Sequence, residues 1–372
     1  MEDSLVGDGM RIIDVKVFIA ELRYVEPFTI ALGTSIVSRN VVIKILTDEN
    51  IVGWGEASPS RRITGETVES TIYAIKNYLK PILIGKDPTC VNDIFREIDE
   101  NLQGHTSAKA AVDMALYDIL GKNFNLSLYK LLGSSRNTIV TDITIGIKSP
   151  EKMAKSAVEF VDRGFRILKI KVGTDPLEDV ERVKAVRDVV GDKIIIRVDA
   201  NQGWTPKQAV KTIRKMEKYG IELVEQPVPW WDLDGMAFVR EKVDTPIAAD
   251  ESVHSPVDAL RLVKSKAADI INIKLMKCGG VNKALKIANI AEAADVELMI
   301  GCMGESTLGI TGAAHFAAAT NSIKYIDLDS DLLLKDNIVI KGGATIDKDK
   351  RFLPSYPGLG IKNIAQNLMK NV

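Results

Sequence analysis

The spacing of apolar residues divides this chain into two regions with different periods. Near the amino terminus, residues 11–19 alternate apolar and polar positions, with Ile13, Val15, Val17 and Ile19 on one face of a predicted strand. Runs at 41–46 and 51–54 read as a hairpin across Thr47-Asp48-Glu49-Asn50. Between the first strand and that hairpin, 27–39 reads as a loop, with Gly33 and several hydroxyls; a second loop at 57–65 carries Arg61 and Arg62. Helical patterns follow at 66–79, 91–102 and 107–122. Strands first and helices after predict a small α+β domain over 10–133, preceded by a flexible extension at 1–9.

From Val140 the period changes. Short apolar runs at 141–147, 167–172, 194–199, 222–225, 247–250, 270–274, 297–302 and 323–327 read as eight strands, most of them separated by amphipathic helical patterns. Ser149-Pro150, Thr205-Pro206 and Ser255-Pro256 each set a capping hydroxyl before a proline at the first helical position. Thr205 and Gln208 make a capping-box pair, and Gly164 and Gly220 stand where helices end. Eight strands with crossover helices predict a parallel (β/α) barrel over 134–330. The segment 331–372, rich in turn signals, is expected to return to the first domain.

Composition narrows the function classes. The chain has 372 residues, 46% hydrophobic, and a formal net charge of −1, which disfavours nucleic acid or an anionic membrane as the main partner. No apolar run reaches the ~18 residues of a membrane span, and no signal peptide is visible. Cys90, Cys278 and Cys302 are far apart and lack metal-site spacing, which fits reduced thiols in a cytoplasm.

Chemistry concentrates where a barrel keeps its active site, at the carboxyl ends of the strands. In Ile-Leu-Lys-Ile-Lys, Lys169 and Lys171 share one face, because a strand alternates with period two. Two ammonium groups on a buried strand require anions opposite them. Asp199, Glu225 and Asp250 end the next three strands, and Lys274 ends the sixth. A Lys-x-Lys alone reads as a solvent-facing edge and a single acid as a helix cap; the ordered set of strand ends carries the inference. Three carboxylates without histidine or cysteine make a hard oxygen site suited to Mg²⁺. A substrate carboxylate on such a metal has an acidified α-proton, because the cation stabilises the enediolate. Lys171 and Lys274, on opposite sides of the carboxylates, are placed to remove and return that proton on opposite faces. Lys169 is expected to tune Lys171 by like-charge repulsion.

These residues resemble the enolase superfamily in its muconate lactonizing enzyme subgroup. The matching marks are Lys169-Ile-Lys171, Asp199-Ala-Asn201, Glu225-Gln-Pro227, Asp250-Glu251-Ser252 and Lys274, with Val52–Ala57 and Pro357–Ile361 similar to the family's capping domain and tail. The resemblance implies a modified TIM barrel, (β/α)₇β, with an α+β capping domain. Its motifs are shared by cycloisomerases, o-succinylbenzoate synthases, N-succinylamino acid racemases and dipeptide epimerases. Asp327-Leu-Asp329 resembles the acidic pair that holds the substrate ammonium in dipeptide epimerases. Thr144 and Met303 stand at expected pocket positions. The resemblance thus implies a Mg²⁺-dependent epimerase acting on a dipeptide, and a symmetric homo-oligomer. One position departs from the pattern. Gly33 stands where relatives acting on Ala-Glu carry an arginine, leaving Arg61 or Arg62 as replacement cations.

Overall fold

The structure is a computed structural model and describes residues 9–372; most of the expected 1–9 extension lies outside the described residues. The first sheet is antiparallel, in the order 369–371, Ile12–Ile30, Gly33–Thr47, Val52–Ala57. Its long hairpin corrects the loop expected at 27–39. Phe28, Thr29 and Ile30 pair with Ser35, Thr34 and Gly33, leaving only Ala31 and Leu32 as the turn. Thr29 and Thr34 hydroxyls lie 2.9 Å apart across the strands, so the hydroxyl-rich composition serves a ladder. The parity expected at the amino terminus also shifts. The register slips between Ile12 and Asp14, which buries Ile12 and turns Ile13 outward at 56% exposure.

The helix expected over 66–79 is three pieces: Val68–Ala74, a π turn at Ile75–Leu79 and Lys80–Leu83. Thr67 caps it in a reciprocal capping box with Ser70. Glu66 instead accepts from the Ser107 and Ala108 amides at 2.8 and 3.3 Å, capping the helix Thr106–Asn123. That helix packs onto Val52–Ala57 through two glycines. A Cβ at Gly53 or Gly55 would stand 2.2 or 1.9 Å from the Ala115 or Ala111 carbonyl, so only glycine admits this approach.

The second sheet has eight parallel strands in sequence order. They are Ile143–Ile145, Ile167–Lys171, Ile195–Asp199, Ile221–Glu225, Ile247–Ala249, Ile270–Ile273, Glu297–Ile300 and Ile323–Ile326, all but the fourth somewhat shorter than expected. The Asp142 amide donates to the Ile326 carbonyl at 3.2 Å, joining the first strand's end to the eighth. Helices 150–162, 176–190, 206–216, 233–242, 256–265, 281–293 and 307–319 fill the gaps, which makes the modified (β/α)₇β barrel. The Thr205–Gln208 capping box forms, and Ser255 caps its helix through the Asp258 amide. Inside the barrel, Leu223, Ala248, Ile270, Met299 and Tyr325 make an apolar floor. Beside it Arg197, in register with Leu223, bridges Asp142 at 2.9 Å and Glu222 at 2.7 Å.

The first domain sits over the carboxyl ends of these strands. The Thr29 carbonyl accepts from the Ile147 amide at 2.8 Å, which fixes the hairpin tip at the first strand's end. Ser38 and Asn40 both donate to the Gly304 carbonyl, at 2.7 and 2.8 Å. Two buried acids complete the docking by capping barrel helices. Asp113 accepts from the Val281 and Asn282 amides. Glu56 accepts from Asn40 Nδ2 at 2.7 Å, the Ser306 amide and hydroxyl at 3.0 and 2.7 Å, and the Gly309 amide at 2.7 Å. The chain's end returns to the first sheet, where Phe18 pairs with Asn371; Lys350–Phe352 pairs with Thr138–Val140 at the start of the barrel. Among the described residues, no helix is long and apolar enough to cross a membrane.

Glu56→Ala strands four buried donors at once. It is expected to lower the unfolding free energy by about 2–4 kcal/mol, measured by urea denaturation.

Candidate active site

The barrel mouth holds one network of ammonium groups and carboxylates. Lys169 Nζ lies 2.6 Å from Asp327 Oδ2, 2.7 Å from Glu225 Oε2 and 3.1 Å from Asp199 Oδ2. Lys171 Nζ lies 2.6 Å from Asp199 Oδ2, and Lys274 Nζ lies 2.8 Å from Asp250 Oδ2. Strand register explains the convergence. Lys171, Asp199 and Glu225 are direct partners across three neighbouring strands, and period two turns them all inward. Leu168, Ile170 and Val198 take the opposite parity and pack beneath the helices. Lys274 reaches the centre past Gly301, where a Cβ would stand 2.9 Å from its Cε.

Burial and mutual charge set the ionisation of this cluster. Burial opposes the Lys169 charge, but Asp327, Glu225 and Asp199 outweigh it and hold its pKa well above the ordinary lysine range. Lys274 is raised in the same way, by Asp250 and Glu225 against burial. Burial works against ionised Asp250 also, and Lys274 and Lys277 hold it well below the usual carboxylate range. Burial and the Asp199 charge push Glu225 up to about 7, against the Lys169 ammonium beside it. The charge that Lys169 was expected to direct at Lys171 is shared by three carboxylates.

The donor set fits a hard cation. Glu225 Oε2 and both oxygens of Asp250 are buried and are met by lysine ammonium groups at 2.7 to 2.8 Å without a well-directed hydrogen bond. Three buried carboxylates on adjacent strands, free of nitrogen or sulfur ligands, have the chemistry a divalent ion such as Mg²⁺ selects.

Asp327 and Asp329 close the other side of the mouth. The Asp329 carboxylate accepts from the Thr144 amide at 2.6 Å and from the Cys302 thiol at 3.6 Å. Thr144 is thus placed beside the acidic pair, through its backbone. Burial resists the Asp327 charge, yet Lys169, Lys171 and Lys274 hold its pKa at about 2. Burial and Asp327 push Asp329 up to about 6. Met303 is half-buried against the main core, and its amide donates to Glu305 Oε2 at 2.5 Å. Arg62 donates to the Leu32 carbonyl, so it ties the second loop to the hairpin turn.

Lys277 and Asn272 escaped the sequence reading, which named Asn201 and Gln226 as family marks without a role. Lys277 is fully buried and sits 2.7 Å from Asp250 Oδ1, while its ammonium also donates to the carbonyls of Asp250, Val253 and Asn272. Asn272 Nδ2 donates to Glu225 Oε1 at 2.8 Å. Gln226 Oε1 accepts from the Asp250 and Ser252 amides at 2.9 and 3.2 Å, joining the ends of strands four and five. Asn201 donates from its backbone to Asp199 at 2.9 Å and from its side chain to Glu251 at 3.2 Å. Asn201 and Gln226 hold φ of 39° and 37°, a left-handed strain that locates both turns beside the carboxylates.

A barrel with this lysine–carboxylate mouth and an α+β cap defines an enolase-like protein. The chain belongs to the mandelate racemase/muconate lactonizing enzyme family, matching its N-terminal domain over residues 12–133 and the enolase C-terminal domain-like family over 152–365. It is 47% identical to the hydrophobic dipeptide epimerase of Enterococcus faecalis, over 95% of this chain and 100% of that protein. It is 46% identical to the L-Ala-D/L-Glu epimerase of Bacillus subtilis, over 96% of this chain and 98% of that protein. The crystal structure of the Enterococcus faecalis dipeptide epimerase with Mg and the dipeptide L-Leu-L-Tyr superposes with a TM-score of 0.92 at 46% identity, covering 95% of this chain and 100% of that one.

Lys277→Met leaves Asp250 Oδ1 and three carbonyls without their ammonium partner. It is expected to lower the unfolding free energy by about 3–5 kcal/mol in chemical denaturation.

Proposed function

We propose that this protein is a Mg²⁺-dependent dipeptide epimerase that inverts the α-carbon of the C-terminal residue of an L,L-dipeptide by 1,1-proton transfer through an enediolate. The observation that carries this reading is the pair of buried lysines flanking the carboxylate trio, with a second acidic pair across the mouth. Asp199, Glu225 and Asp250 are the residues that would hold the metal. When bound, the cation supplies positive charge against the substrate carboxylate, which acidifies the α-proton. Lys171 and Lys274 approach from opposite sides, one taking the proton and the other delivering one to the far face. Lys169 bridges the trio and Asp327, and so keeps both acidic groups in register. Asp327 and Asp329 receive the substrate's ammonium group, with Thr144 orienting Asp329. Met303 borders the same pocket from strand seven. An N-acylated substrate brings no cation to this acidic pair, which favours the dipeptide over an N-succinylamino acid.

Gly33 gives the hairpin tip no side-chain cation of its own, while Arg62, held on the Leu32 carbonyl, keeps its guanidinium charge beside that turn. The free thiols Cys90, Cys278 and Cys302 support a cytoplasmic location. Adjacent Trp230 and Trp231, 55% and 68% exposed, support a homo-oligomer in which a second copy covers them.

Incubation with Mg²⁺ and L,L-dipeptides in D₂O is expected to place one deuteron on the C-terminal α-carbon and to yield the L,D epimer, read by mass spectrometry and chiral chromatography. Lys171→Ala and Lys274→Ala should each lose epimerisation by about 10²–10⁴-fold. Each should still exchange one epimer, and the two variants should exchange opposite ones. No deuterium uptake across a broad dipeptide pool would remove this substrate class. In the same assay Asp329→Asn is expected to cost about 2–4 kcal/mol, or about 30- to 10³-fold in kcat/KM.

A further inference from the structure

We propose that Cys302, Asp327 and Asp329 form a second cation site, which takes a borderline-soft divalent metal such as Zn²⁺ through one thiolate and two carboxylates. The site shares Asp327 and Asp329 with the ammonium subsite but rests on its own geometry, independent of the epimerase reading. All three residues are buried, and one ligand atom from each lies within 4.8 Å of the others. The Cys302 Sγ to Asp329 Oδ1 distance is 3.6 Å. Zinc bonds of about 2.3 Å to sulfur and about 2.1 Å to oxygen at a tetrahedral angle span an edge of about 3.6 Å. One edge of the polyhedron is therefore already set.

A second observation points to a ligand. Asp327 is 3% exposed, and its Oδ1 has no hydrogen-bond partner. Lys169 occupies the other oxygen, Oδ2, and so leaves Oδ1 available. Charge favours a cation as well. One thiolate and two carboxylates carry three negative charges, and Lys169, shared with Glu225 and Asp199, offsets only part of them. Three protein ligands with a fourth position open to water match the coordination of exchangeable zinc sites. Sulfur separates this site from the all-oxygen trio of Asp199, Glu225 and Asp250, since Mg²⁺ favours oxygen and Zn²⁺ accepts thiolate.

Binding breaks the Cys302 S–H bond, sends the proton to solvent and forms a metal–sulfur bond, with no change of oxidation state. Sequence spacing hides the site. Cys302 and Asp327 lie far apart in the chain and meet because strands seven and eight are parallel neighbours, with the Asp327 amide on the Ile300 carbonyl at 2.8 Å. A metal here occupies the place proposed for the substrate's amino end.

The test uses the full-length protein in excess Mg²⁺, with Cys90→Ser removing the one exposed thiol. Co²⁺ is the probe, because a cobalt–thiolate bond gives a near-ultraviolet charge-transfer band that oxygen ligands do not. The band is expected to saturate at one equivalent per chain, to bleach on addition of Zn²⁺ and to vanish in Cys302→Ser. Asp329→Asn, which keeps the side-chain shape and serves if Cys302→Ser does not fold, should weaken Co²⁺ binding about tenfold or more. Bound Co²⁺ without the band, or a band that survives Cys302→Ser, overturns the site and leaves the epimerase reading untouched. A band that an L,L-dipeptide displaces supports both proposals. A band that saturating dipeptide leaves unchanged keeps this site and overturns the ammonium role of Asp327 and Asp329.

Discussion

The structure depends on the Lys169 ammonium, fully enclosed at the barrel centre and shared among Asp327, Glu225 and Asp199. A buried charge of either sign costs several kcal/mol of desolvation, so neither set of groups can occupy this interior alone. Together they are compatible, and they hold apart two functions. On one side stands the oxygen trio, on the other the Asp327–Asp329 pair. The lysine that joins them lies one strand pleat below Lys171. Replacing this network with apolar residues would serve stability as well. Its retention at the carboxyl ends of the strands, against the apolar floor at the other end, is the pattern of a reactive site.

The cap extends the same logic. Its hairpin tip, its Ser38–Asn40 clamp on Gly304 and its two helix-capping acids each attach where a barrel strand ends or a barrel helix begins. Glu56 and Asp113 are buried acids pushed upward by desolvation, Asp113 to about 7, and satisfied mainly by groups from the other domain. Cap and barrel therefore fold onto each other through directional contacts as well as area. Loops over the mouth are carried on a rigid sheet, which is how a site excludes water while its contact residues vary.

Much of this was legible in the sequence because it follows period and order. Lys169 and Lys171 share a face by strand geometry alone, and the carboxylates fall at successive strand ends. Thr205 and Gln208 announced their helix start through a local bond that needs no distant partner. What failed depended on partners elsewhere. The 27–39 segment looks like a loop until its hydroxyls are paired across a hairpin. Ile13 points outward because of one register slip that no alternation reveals. Lys277 gave no signal, since three of its partners are backbone carbonyls. Cys302 shows no metal-site spacing in the sequence because its approach to Asp329 is a product of sheet topology.

The central claim is that the carboxylate trio is a metal site poised between two lysines. Calorimetric titration of the wild-type protein with Mg²⁺ tests it most directly. One site per chain is expected, lost in Glu225→Gln and kept in Asp329→Asn. A folded wild-type protein that binds no Mg²⁺ would contradict the account, and the epimerase reading would fall with it.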